Sequence, residues 1–340
     1  MEANKTGLQP GGGSSSKMIR RLALLLLFGL LAAAGCLVSL AKGAMNISPG
    51  DIVAALAADS VSNAQSQVIW NIRLPRTLVA ALVGVNLALA GVILQGVMKN
   101  PLADPHIIGI SSGAGLAGVT VLILFPDREV WVVPAAFAGA MAAAVLIYLL
   151  AWKGGIKPMR IVLAGVAVSA FLGAGISGLL VFYSDRVHGA LMWMVGGLSA
   201  RSWPHVAIIA PYSLVAGCLA LVSGRRLNIL ALGDDMARGL GLHVEITRLL
   251  LTAVAALLAA SAVSVVGLLG FVGLIVPHTA RLLIGSDCRY LLPASALLGV
   301  AVVTVSDTLA RTLFAPVEIP VGIIMAFLGA PFFLYLLRRE

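Results

Sequence analysis

Arg73 and Arg76 stand three apart around Pro75, and Arg311 stands four residues after Asp307. Asp307 and Arg311 at that spacing could form an ordinary intrahelical pair. At an interface rim the arginines can orient an acidic partner and speed its encounter. The other reactive residues are dispersed. His106, His188, His205, His243 and His278 show no metal-ligand spacing, and Cys36, Cys218 and Cys288 fall in separate segments, which predicts reduced packing residues and no metal site. Gly7 to Lys17 faintly resembles a phosphate loop but lacks the Gly-Lys-Ser/Thr ending. No nucleophile, metal or paired-carboxylate constellation points to an enzyme, so no catalytic residue and no cofactor is expected on the chain.

The elements that must position the arginines follow from composition. The chain has 340 residues, 60% hydrophobic and 11% charged, whereas soluble domains carry about 25% charged residues. That predicts an all-α integral membrane protein. Its net charge of +9 is scattered singly between apolar runs, which fits topology signals in a lipid bilayer and argues against nucleic acid. Apolar runs at 22–42, 77–98, 107–125, 130–152, 161–183, 204–222, 291–309 and 319–337 each approach the ~20 residues that cross a bilayer. The stretch 249–280 is long for one helix and short for two, and Gly267, Gly270 and Gly273 could turn it. If it crosses twice there are ten spans, with only Lys42, Arg73, Arg76, Arg128, Arg186, Arg201 and Arg311 of the Lys and Arg residues outside. A single crossing moves Arg311 inside and Arg281, Arg289, Arg338 and Arg339 outside. The positive-inside rule therefore favours ten spans with both termini cytoplasmic.

Residues 1–16 are Gly/Ser-rich and predicted to be a disordered cytoplasmic tail, leaving 17–340 as one transmembrane domain. Ala33 to Cys36 resembles a lipoprotein cleavage site, but apolar residues continue to Ala41, which predicts an uncleaved span. The inner loop 225–248 holds Asp234, Asp235, Arg238, His243 and Glu245 among Gly233, Gly239 and Gly241, which reads as two short helices broken at glycine. The outer segment 184–203, with Met192, Trp193, Met194 and Trp203, reads as interfacial.

Gly165, Ser169, Gly173 and Ser177 recur every fourth position. That spacing permits close helix packing, or forms a smooth pathway lining for a bulky solute. Asn86 and Gln95 lie at membrane depth, where polar residues face a water-filled path or neighbouring protein. Both readings stay open for each set.

The motifs run in a characteristic order: Arg73-Leu74-Pro75-Arg76-Thr77-Leu78, Asn100-Pro101-Leu102-Ala103-Asp104-Pro105, Gly109-Ile110-Ser111-Ser112-Gly113-Ala114 and Leu163-Ala164-Gly165-Val166-Ala167. Leu230-Ala231-Leu232-Gly233, Leu240-Gly241-Leu242, Gly270-Phe271-Val272-Gly273-Leu274-Ile275-Val276-Pro277-His278, Asp307-Thr308-Leu309-Ala310-Arg311 and Leu328-Gly329-Ala330-Pro331 follow. From about residue 20 onward the series resembles the permease subunit of ABC importers for iron-siderophores, haem or cobalamin, the FecCD type. The resemblance implies a ten-helix, type II importer permease of the bacterial cytoplasmic membrane. It would pair with a second permease, a copy or a paralogue, around a central pathway. Two ATPase subunits would bind ATP inside, and an extracytoplasmic substrate-binding protein would dock outside.

By the same resemblance, Arg73, Arg76 and Arg311 match outer arginines that meet acids of the binding protein. Gly233, Asp234, Asp235, Arg238, Gly239, Leu240, Gly241 and Leu242 match the ATPase-coupling helices. Asn100 and Leu102 match a cytoplasmic gate, and Pro158 and Met159 lie in its second constriction, Lys157-Pro158-Met159-Arg160. The residue types there depart from cobalamin permeases, which counts against cobalamin; the family's commonest cargo, an iron(III)-siderophore, is the one the resemblance leads us to expect, with haem and then cobalamin as alternatives. An ion-coupled secondary transporter is the more distant reading. It calls for intramembrane carboxylates, whereas Asp307 and Glu318 lie near the outer ends of their spans.

Overall fold

Residues 12–43, 45–57, 64–106, 109–153 and 158–338 are described by a computed structural model. Helix α1 spans Gly12–Ala41, α2 Pro49–Ala57 and α3 Ala64–Val68; a π-helical turn, Ile69–Arg73, joins α3 to α4, Leu74–Met98. Then come α5 (Ile110–Leu124), α6 (Val132–Ala151), α7 (Pro158–Phe182), α8 (Val187–Val195) and α9 (Trp203–Val222). The inner loop folds as α10 (Gly224–Ala231) and α11 (Asp234–Gly239), followed by α12 (Val244–Val266), α13 (Val272–Ile284), α14 (Cys288–Thr312) and α15 (Val321–Leu337). Among the described residues there is no strand.

Seven helices are long and apolar enough to cross a membrane, and three shorter apolar ones accompany them: Ile110–Leu124, Val272–Ile284 and Val321–Tyr335. The stretch 249–280 is two helices. Gly267, at φ +84°, ends α12, and α13 starts after Phe271. Of the three glycines expected to turn the chain, Gly267 makes the break, while Gly273 lies inside α13. With 13 residues, α13 is about 20 Å long at ~1.5 Å per residue, short of the ~30 Å hydrocarbon core.

Helix α4 is the central post, packed against α9, α12, α13 and α14. Two glycines set those crossings. A Cβ on Gly84 would lie 2.3 Å from the carbonyl oxygen of Gly299 in α14, and one on Gly91 would lie 2.0 Å from that of Gly273 in α13. In lipid, helix association rests on such close approach rather than on hydrophobic transfer.

Two boundaries differ from the sequence reading. Helix α1 begins at Gly12, so part of the expected 1–16 tail is helical; residues 1–11 lie outside the described residues. The helix expected from 77 instead continues from α3 through the π turn. Pro75 lacks an N–H and crowds the carbonyl four residues back, and the wider π turn accommodates it. Gln65, Gln67 and Asn71 hide this segment in a hydropathy reading. A small cluster of Leu40, Ile47, Ile52, Ala55 and Ile69 holds it.

Candidate docking, coupling and pathway surfaces

The π turn sends Arg73 and Arg76 to different neighbours, and neither forms an exposed rim. Buried Arg73 donates from Nη1 to the carbonyl oxygens of Leu40 (2.6 Å) and Ala41 (2.9 Å), and from Nη2 to that of Met45. It therefore satisfies orphan carbonyls at the end of α1. Buried Arg311 donates from Nη2 to Ser39 O (2.6 Å), Ser39 Oγ (2.9 Å) and Thr308 Oγ1 (3.3 Å). Its spacing-predicted partner Asp307 is at 3.8 Å. The stronger claim on Asp307 comes from Arg76, through Nε to Oδ2 and Nη2 to Oδ1, both 2.9 Å. Arg76 Nη1 also reaches Glu318 Oε2 at 2.9 Å. Each of the three arginines is buried on internal acceptors, because a buried guanidinium must be satisfied within the protein.

The inner loop forms two short helices, as its glycines predicted. Gly233, at φ +106°, opens α11. Asp234, its first residue, accepts from Arg248 Nη1 (2.9 Å) and Nη2 (2.7 Å) and from Lys99 Nζ (3.0 Å). Partial burial alone would raise the Asp234 pKa, but the hydrogen bonds and charges of Arg248 and Lys99 outweigh it and hold it below 3.8. Asp235 pairs loosely with Arg238 at 3.5 Å, and Arg238 reaches Glu245 at 3.2 Å. Met236 and Leu240 are exposed on α11, two apolar knobs turned away from the bundle. Leu242 donates its N–H back to Ala237 O, and Gly241 makes the turn at φ +80°.

Lys99 terminates α4 in a left-handed conformation, and Asn100 follows. Asn100 Oδ1 accepts the Leu102 N–H at 2.9 Å, so Asn100 shapes its own turn. At the start of α7 Pro158 is half-buried and Met159 exposed; Lys157 lies outside the described residues.

The small residues of α7 divide between the two readings. Gly165 and Ser169 pack on the loop before α5: a Cβ on Gly109 would meet Ser169 Oγ at 2.8 Å and Gly165 O at 3.2 Å. Gly173 has open space beside it, and Ser177 is exposed. Asn86 and Gln95 do not line a path. Asn86 Nδ2 donates to Ser213 Oγ (2.8 Å) and Ser261 Oγ (3.0 Å), tying α4 to α9 and α12. Gln95 Nε2 donates to Gly273 O (3.2 Å) and its Oε1 accepts from Arg281 (2.9 Å). Both are buried helix-to-helix ties, the alternative that their polarity also allowed. A cleft of about 960 Å³ lies at the α12–α13 break and is lined by Asp104, His106, Leu268, Phe271, Ile323 and Phe327 among others.

A model of the FecCD transport family matches residues 30–339. The chain belongs to the FecCD transport family. It is similar to the Fe(3+)-citrate import system permease protein YfmE of Bacillus subtilis (strain 168), 42% identical over 328 residues, covering 96% of this chain and 98% of that one. It is similar also to the cobalamin import system permease protein BtuC of Halobacterium salinarum, 44% identical over 272 residues, covering 80% and 73% of the two chains. A solved structure described as an inward-facing conformation of a metal-chelate type ABC transporter superposes with a TM-score of 0.84 at 30% identity, covering 94% of this chain and 99% of that one.

As a FecCD protein the chain is a multi-pass transport permease of the bacterial cytoplasmic membrane, not an enzyme; ATP hydrolysis sits on a separate subunit. Within that frame, sequence reasoning left several polar residues without a role. Glu318 entered it only as an end-of-span charge, and Arg201, Lys99 and Arg248 only in the topology count. Met236 had no role either, although an apolar residue on a charged helix was a signal available in the sequence.

Proposed function

We propose that this FecCD permease forms half of the pathway of an ATP-driven importer carrying a ferric chelate of the siderophore class inward. The cleft of about 960 Å³ carries this reading. Its size suits a bulky organic complex, since small-molecule sites occupy roughly 300–1,000 Å³. The open side of α7 at Gly173 and Ser177 adds a surface with little side-chain volume, and the Fe(3+)-citrate permease similar over 96% of the chain supports iron as the metal.

In this reading the chain makes ten crossings with both termini cytoplasmic and pairs with a second permease, a copy or a paralogue. Helix α11 engages the ATPase through Met236 and Leu240. Asn100, Leu102, Pro158 and Met159 close the inner end, and the binding protein docks near Arg76.

The test is uptake into proteoliposomes that hold the permease, its ATPase and the binding protein encoded beside it, with ion gradients dissipated. Ferric citrate, a ferric hydroxamate, haem and cobalamin are offered in turn. ATP-dependent entry of a ferric chelate is expected. Entry of haem or cobalamin in its place would replace the cargo, and entry that follows an ion gradient without ATP would replace the transporter class.

A further inference from the structure

The short turn between α13 and α14 collects guanidinium groups from three elements. Asp287 accepts from Arg289 Nε (3.0 Å) and Nη2 (2.7 Å) and from Asn228 Nδ2 (2.7 Å), and Arg21 of α1 pairs with it at 3.5 Å. Arg20 donates from Nη2 to the Leu283 carbonyl oxygen at 3.0 Å. The Arg21 guanidinium lies 4.6 Å from the ring centre of Tyr290, and that of Arg289 lies 6.0 Å from it, within reach of cation–π attraction. Helix α10 closes this corner. A Cβ on Gly224 would sit 3.1 Å from the Arg289 backbone, and exposed Arg225 and Arg226 follow it. With Lys17, one turn before Arg21, the basic side chains here far outnumber Asp287, the carboxylate that binds them. Asp287 fixes Arg289 and Arg21 without hiding them, since their side chains remain 60% and 30% exposed. Each arm of the corner borders exposed apolar residues along the chain: Leu22 and Leu26 in α1, Leu221 and Val222 ending α9, Leu282 and Leu283 ending α13.

We infer that this corner binds the phosphodiester headgroup of an anionic phospholipid, whose acyl chains lie along the exposed leucines of α1 and α13. Arginine forks suit phosphate oxygens, and basic pockets between membrane helices take such headgroups. Charges that serve topology alone need no convergence. Here residues of α1, α10 and α14 meet at one carboxylate and one tyrosine ring. A soluble acidic partner could use the charges but not the leucines beside them. Nor does the ATPase need this corner, since its contact is assigned above to Met236 and Leu240 of α11. A headgroup seated here offsets the repulsion among the arginines and ties α1 to α10 and α14. The inference rests on the membrane helices and holds whatever the cargo.

The experiment titrates the detergent-purified permease, with its ATPase, with three probes and counts bound molecules by native mass spectrometry. The probes are phosphatidylglycerol, phosphatidylcholine with the same acyl chains, and glycerophosphoglycerol, the headgroup without chains. Phosphatidylglycerol is expected to bind about tenfold more tightly than phosphatidylcholine. Arg289→Gln, and Arg225→Gln with Arg226→Gln, should weaken it about fivefold for each arginine removed. Arg128→Gln with Arg186→Gln removes two charges outside the corner and should leave binding unchanged. If Arg289→Gln, which strips Asp287 of its closest partner, does not fold, the exposed pair Arg225 and Arg226 carries the test. Equal binding of the two lipids, or equal losses in the corner and control variants, overturns the site. Headgroup without chains that binds as tightly as the lipid makes this a site for soluble anions and overturns it too. Corner variants that release the ATPase but keep the lipid give the surface to that subunit instead.

Discussion

Arg76 and Asp307 lock α4 to α14 through two parallel hydrogen bonds, Nε to Oδ2 and Nη2 to Oδ1, each 2.9 Å long. Such a planar, bidentate pair cannot lose one member quietly. Arg76→Ala leaves buried Asp307 with only the 3.8 Å contact to Arg311, and Asp307→Ala leaves Arg76 with only Glu318, so each is expected to cost about 3 kcal/mol, the low end of breaking a buried pair. Replacing both, as Arg76→Met with Asp307→Leu, is expected to cost far less than the sum. Thermal unfolding of the detergent-purified chain reads this directly, and equal, additive losses in the double variant would show that the pair is not a unit.

That pair also marks the limit of what the sequence discloses. The helices were legible wherever a run of about 20 apolar residues was unbroken, because transfer into lipid demands it. The paired short helices of the inner loop were legible from Gly233 and Gly241, which sit at positive φ. The pairing of Arg76 with Asp307 was not, because the two lie 231 residues apart and only packing brings them together. The visible spacing, Asp307 to Arg311, pointed to the weaker contact. Asn86 and Gln95 show the same limit: polarity at depth demands a partner, but not whether that partner is water or a neighbouring helix.

The glycines of α4 and α7 are expected to respond oppositely to the same substitution. Gly84→Ala and Gly91→Ala push a methyl onto the carbonyls of Gly299 and Gly273, and backbone cannot yield as a side-chain tip can. Each should destabilise by about 1–3 kcal/mol or more. Gly173→Ala meets nothing within 4 Å and should leave folding unchanged. Unfolding midpoints of the three variants, measured in one detergent, check this; a Gly84→Ala protein as stable as Gly173→Ala would mean that α4 and α14 do not cross so closely.

Asp234 joins three elements, since Arg248 belongs to α12 and Lys99 ends α4 next to the Asn100 turn. Movement of α11 is therefore expected to reach Asn100 and Leu102 through Lys99. Asp234→Asn should lower substrate moved per ATP hydrolysed while leaving ATP hydrolysis running, and a wild-type ratio would remove Asp234 from the coupling path. The pH dependence follows from sign. The Asp234 pKa is lowered from 3.8, so its stabilisation is complete above that value and is lost as pH falls through the lower folded-state value. The transport-to-hydrolysis ratio should accordingly stay level from about pH 5 to 8 as far as this group is concerned. A decline in that window that vanishes in Asp234→Asn would contradict the assignment.

Gly239 and Gly241 sit two residues apart in the same loop but under different constraints. Gly239 ends α11 with open space around it, whereas Gly241 holds φ +80°. Ala at 239 relieves the roughly 1 kcal/mol helix penalty of glycine and should be silent or slightly stabilising. Val at 241 must enter the left-handed region, where a β-branched side chain is an outlier, so the turn that returns Leu242 to Ala237 is expected to open. The measured consequence would be reduced substrate-stimulated transport in Gly241→Val and wild-type transport in Gly239→Ala. If Gly241→Val transports normally, the orientation of α11 does not depend on this turn, and its attachment through Asp234 to Arg248 and Lys99 suffices to hold it.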